Sequence, residues 1–106
     1  MSKHEINPNL RGDVDRAPKD PGCYLFRDDT GTVLYVGKAK VLRNRVRAYL
    51  RPHADGRLRI PEMVMRAREL EYVITSSEKE ALILENNLIK LHKPRFNVML
   101  KDDKTY

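Results

Sequence analysis

Tryptophan is absent from this chain, and cysteine nearly so: Cys23 stands alone. A single cysteine excludes an internal disulfide and a thiolate metal cage. Histidine is scarce as well, and His4, His53 and His92 lack the spacing of metal ligands. They read as surface residues. No apolar run approaches the roughly 20 residues that a membrane span needs. The opening residues, Met-Ser-Lys-His-Glu, carry no apolar signal segment. Internal repeats and low-complexity tracts are also missing. These absences point to a soluble, cytoplasmic protein without a membrane partner. Acidic residues are in the minority, 15 against 21 Lys and Arg, giving a net charge of +6 and a pI near 9.6. That balance favours an anionic partner, with nucleic acid first. The chain of 106 residues is 41% hydrophobic, enough for one folded domain with a modest core.

Residues 1 to 20 are polar, contain Pro8 and Pro18, and show neither helical nor strand periodicity. They read as a mobile arm, with folding expected from the Pro21-Gly22 turn pair onward. Cys23 to Arg27 and Thr32 to Val36 read as two strands across the polar loop Asp28-Asp29-Thr30-Gly31, an antiparallel hairpin. Tyr24 and Tyr35 then lie towards the same end of it. Gly37 is expected to end the second strand in a turn, with positive φ or a close ligand approach as the reason for glycine. Lys38-Ala39-Lys40 leads into a helix over about 41–50.

On that helix Leu42, Val46, Tyr49 and Leu50 make the apolar stripe. Arg43, Arg47 and Arg51 make a basic stripe about opposite, read either as a solvated face or as a phosphate contact. Arg45 falls beside Tyr49 on the shoulder of the apolar stripe. It is expected to be partly buried and to need an anionic partner. Residues 51–60 read as a basic loop carrying Arg51, Arg57 and Arg59, followed by a short helix through about Arg68 and a third strand over Leu70 to Thr75.

Ser77 and Glu80 match a capping box for the longest helix, which stops ahead of Pro94. Ala81, Leu84, Leu88 and Ile89 form its apolar face, and Glu85 falls inside that face. A carboxylate there requires a partner. The choices are a buried ion pair or a role as metal ligand or catalytic group. Arg95 to Leu100 reads as a closing segment. Lys101 to Tyr106 is charged and reads as the start of a linker.

Gly22-Cys23-Tyr24, followed eleven residues on by Tyr35-Val36-Gly37, resembles the paired motifs of the GIY-YIG nucleases. Lys38, Arg45, Tyr49, Glu85 and Asn97 match further positions of that pattern. Tyr35-Val36-Gly37-Lys38-Ala39-Lys40, Glu85-Asn86-Asn87-Leu88-Ile89-Lys90, Pro94-Arg95-Phe96-Asn97-Val98 and Lys101-Asp102-Asp103-Lys104-Thr105-Tyr106 look most like the N-terminal nuclease domain of UvrC, the excinuclease subunit of bacterial nucleotide excision repair. Two positions depart from the pattern. Cys23 replaces a branched aliphatic residue, and Val36 replaces isoleucine.

The resemblance covers about residues 21 to 106. It implies an α+β fold, a small three-stranded antiparallel sheet flanked by helices. It also implies metal-dependent cleavage of damaged double-stranded DNA on the 3′ side of a lesion. UvrB would be bound through a region outside this chain.

Glu85 is the only carboxylate the sequence brings to the site, so one Mg²⁺ or Mn²⁺ is expected there. Tyr35 is the expected general base, its phenolate favoured by Lys38 and Arg45. Arg45 is expected to fork onto phosphoryl oxygens. Tyr24 and Tyr49 should hold the water, the phosphate or Tyr35. Gly37 and Asn97 are expected to support the site, and Lys40, Arg43, Arg47, Arg51, Arg57 and Arg59 to contact DNA. The rival reading is a basic module that binds nucleic acid without cutting it.

Overall fold

The computed structural model describes residues 6–50 and 60–97. In chain order the elements are α1 (Pro8–Asp15), β1 (Gly22–Arg27), β2 (Val33–Ala39), α2 (Leu42–Tyr49), α3 (Ile60–Arg66), β3 (Glu69–Ile74) and α4 (Glu78–His92). The strands form one antiparallel sheet in the order β2-β1-β3. This is the expected α+β arrangement. The expected basic arginines Arg51, Arg57 and Arg59 lie outside the described residues, as does the closing stretch from Val98 onward.

The hairpin is set by Asp28. Its carboxylate accepts from the N–H groups of Thr30 and Thr32 at 2.9 and 3.0 Å, and Gly31 takes φ +85°, a conformation that favours glycine. The register then places Tyr24 opposite Gly37 and Phe26 opposite Tyr35. Strand β2 does not end at Gly37, contrary to the sequence expectation. It pairs with β1 as far as Ala39, because Lys38 and Ala39 find partners in Cys23 and Gly22.

Side chains divide between the two faces of the sheet, as the pleat demands. Tyr24, Phe26, Tyr35, Ala39 and Leu70 join Leu42, Val46 and Tyr49 of α2, Met63 and Val64 of α3, and Phe96 in the main core. Leu25, Val33 and Val36 face the other way and pack with Val73 and with Leu88 and Ile89 of α4.

Residues 6–17 are not a mobile arm. Asn7 caps α1 by accepting from the N–H groups of Asn9 and Leu10. Pro8 stands in the first turn, where its missing N–H costs nothing. Leu10 and Val14, one turn apart, are buried in the main core together with Ala17. Asp13 ties the helix to the outer edge of β3: its carboxylate accepts from Leu70 N–H at 3.0 Å and its carbonyl from the Tyr72 hydroxyl at 2.8 Å. Edge-strand groups that would otherwise face solvent are thereby covered.

Helix α4 begins as expected at Ser77, whose side chain accepts from Glu80 N–H at 3.1 Å. The reciprocal bond is displaced by one residue, with Glu80 Oε1 accepting from Ser76 N–H at 2.7 Å. The helix ends on Lys93 in the left-handed conformation, φ 46°, directly before Pro94. Among the described residues no helix is long and apolar enough to cross a membrane.

Candidate active site

Three tyrosines from three elements meet on the main-core face of the sheet. The Tyr24 and Tyr49 rings lie 5.6 Å apart in an edge-to-face arrangement. Tyr35 lies 6.4 Å from Tyr24 and 6.2 Å from Tyr49. The Tyr24 and Tyr49 hydroxyls share a 2.6 Å hydrogen bond. Arg45 Nε donates to the Tyr24 hydroxyl at 3.4 Å, and its guanidinium stands 5.7 Å from the Tyr49 ring centroid, a cation–π distance. Arg45 as a whole is exposed rather than partly buried. Its one-turn spacing from Tyr49 on α2 lets a single arginine reach both phenols.

Gly37 explains how Tyr24 lies where it does. A Cβ at position 37 would come within 2.3 Å of the Tyr24 ring and hydroxyl, so Tyr24 lies flat across the glycine directly opposite it. The reason for glycine is therefore the ring of a neighbouring strand, not a positive φ, since among the described residues only Gly31 and Lys93 take positive φ.

The charged residues Glu85 and Lys38 belong to the other face. Lys38 is paired with Cys23 in the sheet, and α4 packs over β1 and β2. The Cys23 thiol is fully buried and donates to the Ala81 carbonyl at 3.2 Å. Its pKa is pushed up to about 11, by burial first and then by the Glu85 carboxylate, with Lys38 acting in the opposite sense. Glu85 and Lys38 are thus charges felt at one buried atom. Glu85 is half-buried, as its place in the apolar face of α4 predicts.

Asn97 has a role that spacing alone could not assign. It is 3% exposed. Its Oδ1 accepts from Val36 N–H at 2.7 Å and its Nδ2 donates to the Val36 carbonyl at 2.9 Å. The side-chain amide acts as one peptide unit of an absent neighbouring strand. It holds the free edge of β2 between Tyr35 and Gly37.

Of the expected DNA contacts, Lys40 and Arg47 are exposed. Arg43 is half-buried, and its Nε donates to the Ala17 carbonyl at 2.8 Å, a bond no sequence pattern announced.

Burial fixes the protonation of two of the phenols. The Tyr24 pKa is pushed up to about 12 by burial, with Tyr35 adding to the rise and hydrogen bonds from Tyr49 and Arg45 opposing it. Tyr49 is raised as well, again chiefly by burial and then by Tyr24. Tyr72 is raised by burial and by the Asp13 carboxylate. All three remain neutral near pH 7, which makes them hydrogen-bond donors rather than bases.

A stability profile follows. Unfolded tyrosines ionise near pH 10, whereas these folded ones keep their protons higher. The stability they contribute is present below pH 10 and is lost as pH rises towards the folded values. Urea unfolding should show a first fall above about pH 8.5, where the unfolded Cys23 thiol ionises and the folded one does not, and above pH 10 a further fall of about 1.4 kcal/mol per pH unit for each such tyrosine. A profile that rose between pH 10 and 11 would contradict the burial argument.

The comparisons with known proteins bear on the family and the fold. Residues 20–98 match the family described as the UvrC-like GIY-YIG domain. The UvrABC system protein C of Protochlamydia amoebophila is 57% identical over 93 residues, covering 88% of this chain and 15% of that protein. Its namesake from Gloeobacter violaceus is 53% identical over 106 residues, covering 93% and 17%. The chain therefore spans about a sixth of the length of these relatives. Among solved structures, the GIY-YIG N-terminal endonuclease domain of UvrC from Thermotoga maritima, bound to magnesium as its catalytic divalent cation, superposes with a TM-score of 0.80 at 40% identity. It covers 88% of this chain and 100% of that one. Variants of that domain with one tyrosine changed to phenylalanine, or an asparagine to alanine, are also bound to the divalent cation. The match over most of this chain, in sequence and in fold, means that it belongs to the UvrC-like GIY-YIG domain family.

Proposed function

We propose that this chain hydrolyses DNA phosphodiester bonds with one divalent cation, Mg²⁺ or Mn²⁺, held by Glu85, and with Tyr35 as general base. Within a full-length protein it would make the cut 3′ to a lesion in damaged double-stranded DNA during nucleotide excision repair, with UvrB engaged by a region outside this chain. The observation that carries the reading is the grouping of Tyr24, Tyr35, Tyr49 and Arg45, with the 2.6 Å bond between two of the phenols; on the other face of the sheet Lys38 and Glu85 both act on the Cys23 thiol.

The residues suit a single hydrated cation. Among the described residues no group of three or more His, Cys, Asp or Glu is placed to hold a metal. A cation on Glu85 would keep most of its shell for water and phosphate oxygens, which Mg²⁺ tolerates well. When bound it supplies Lewis-acid stabilisation of charge on the phosphoryl and departing oxygens.

The chain's own residues divide the remaining work. Tyr35, as the phenolate, takes the proton of the attacking water and becomes the neutral phenol. Tyr24 and Tyr49 are neutral at working pH; one donates to the other, and the proton left over is donated to the water or the phosphate. Arg45, fixed on the Tyr24 hydroxyl through Nε, presents its two terminal nitrogens as a fork for phosphoryl oxygens. Lys38 adds a second cation. Asn97 holds β2 so that Tyr35 and Lys38 keep their places on opposite faces. Lys40 and Arg47 contact flanking phosphates.

The test is Tyr35→Phe, assayed for Mg²⁺-dependent nicking of duplex DNA and for cation binding by calorimetry. Cleavage should fall by about 10²–10⁴-fold, the usual worth of a general base, with cation affinity unchanged. Parental rates in Tyr35→Phe would remove Tyr35 from the chemistry. Parental protein that binds duplex but never cuts it would favour the non-cleaving module.

A further inference from the structure

Helix α2 carries both Arg45 and Tyr49, yet it starts without a conventional cap. Its N-cap residue is Val41, whose side chain has no acceptor, and its first turn contains no acid. The orphan N–H groups there need other partners. Two find them in the stretch between α1 and β1: Leu42 N–H donates to the Asp20 carbonyl at 3.1 Å and Arg43 N–H to the Pro18 carbonyl at 2.9 Å. Arg43 Nε adds a third bond, to the carbonyl of Ala17, at 2.8 Å. Ala17 is fully buried.

The stretch that receives these bonds is itself anchored. Leu10, Val14 and Ala17 are packed in the same core as the three tyrosines, and Asp13 is fastened to β3. Helix α1, Pro8–Asp15, precedes the residues matched by the family profile, 20–98.

We propose that Arg43 is a positioning residue: through the Ala17 carbonyl it locks α2 onto the anchored α1 segment and so sets the roll of the helix that aims Arg45 and Tyr49 at Tyr24. Two of the three bonds come from backbone N–H groups that survive any substitution short of proline. The Nε bond is the one made by a side chain. Without it a buried carbonyl is left without that donor, and the only hydrogen bonds left at the base of α2 are backbone ones, beside the packing of Leu42. A roll of about 10° moves a group at the side-chain radius of about 5–6 Å by about 1 Å. That is enough to break a 2.6 Å hydroxyl pair, and a displacement of about 1 Å can cost about 10²-fold in rate. The catalytic consequence rests on the nuclease reading, whereas the tyrosine geometry does not.

Two substitutions separate positioning from phosphate contact. Gln Nε2 occupies the same place along the side chain as Arg Nε, so Arg43→Gln keeps the donor and removes the charge. Arg43→Met keeps the length and removes both. Three quantities are to be measured on each: kcat and KM for cleavage, the salt dependence of duplex binding, and the ¹³Cζ resonances of Tyr24 and Tyr49 in metal-free, DNA-free protein.

In Arg43→Met, kcat should fall by about 10–100-fold with KM and salt slope near parental, and both tyrosine resonances should shift. Arg43→Gln should restore the resonances and most of kcat. Overturning results are Gln as impaired as Met with a salt slope lower by about one unit, the sign of a lost phosphate contact, or tyrosine resonances unmoved in Arg43→Met. If the parent chain cleaves nothing, the nuclease reading falls, and the resonances alone decide the positioning role. If Arg43→Met does not fold, parental resonances in Arg43→Gln uphold the role and shifted ones overturn it.

Discussion

Gly37→Ala should abolish cleavage and cost about 1–3 kcal/mol of stability, the usual range for forcing an extra methyl into a packed core. The new Cβ would stand 2.3 Å from the Tyr24 ring and hydroxyl, a separation no real contact survives. Relief requires Tyr24 to move, because the glycine lies in the middle of a stretch paired with β1 from Gly22↔Ala39 through Phe26↔Tyr35. Tyr24 is 1% exposed and abuts Phe26, Tyr35 and Tyr49, so its ring has no free space to enter. Displacing it breaks the bond to Tyr49 and removes the acceptor of Arg45 Nε in one step.

The activity loss should therefore exceed the loss from Tyr24→Phe, which deletes the hydroxyl but leaves the ring. Gly12→Ala is the matched control. There the new Cβ meets the guanidinium of Arg16 at 3.2 Å, an exposed side chain that can shift by a few tenths of an ångström while keeping its pair with Asp13, and the position is helical, so stability should rise by about 0.5–1 kcal/mol with cleavage unchanged. Denaturant unfolding and a nicking assay on the three proteins suffice. A Gly37→Ala protein that cuts at the parental rate would show that Tyr24 need not lie across the strand for the site to work.

The elements differ in how far the sequence reveals them, and the reasons are physical. The hairpin, α2 and α4 are legible because their signals are local: alternation around a polar turn, an apolar stripe, a capping serine ahead of a long periodic run. Glu85 is legible as an anomaly for the same reason, since helical spacing alone sets it among Ala81, Leu88 and Ile89. Helix α1 is hidden. It is eight residues long and buries only Leu10 and Val14, and its Pro8 looks like a breaker until its place in the first turn is known.

The meeting of Tyr24 with Tyr49 depends on how α2 packs across β1, which no local pattern records. The same holds for Asn97 on the edge of β2, 61 residues from Val36, and for Arg43 on Ala17. In each case a polar side chain satisfies a backbone group far away in sequence. Gly37 shows the opposite error. Its conservatively simple reading, a turn, gives way to the closer demand of the ring opposite it.

Glu85→Gln should take cleavage to background and remove cation binding while duplex affinity holds. Gln preserves the shape and removes the charge that acts on the Cys23 thiol. Changing groups that merely orient a metal ligand costs about 10–100-fold, and losing the ligand itself should cost more. The competing account of Glu85, a structural ion pair, predicts a different set of results, and stability tells them apart.

Gln keeps the shape of the side chain and its capacity to accept hydrogen bonds, so if Glu85 is kept chiefly for a cation, Glu85→Gln should lose far less stability in metal-free buffer than a broken buried ion pair would. A structural ion pair, once broken, leaves its partner uncompensated and costs about 3–5 kcal/mol when buried. The parent should in addition gain about 2.7 kcal/mol at a cation concentration 100 times Kd, a gain that Glu85→Gln should lack. Equal cation-induced stabilisation in both proteins, together with a large metal-free loss in Glu85→Gln, would assign Glu85 to the scaffold and leave this basic surface as one that binds DNA without cutting it.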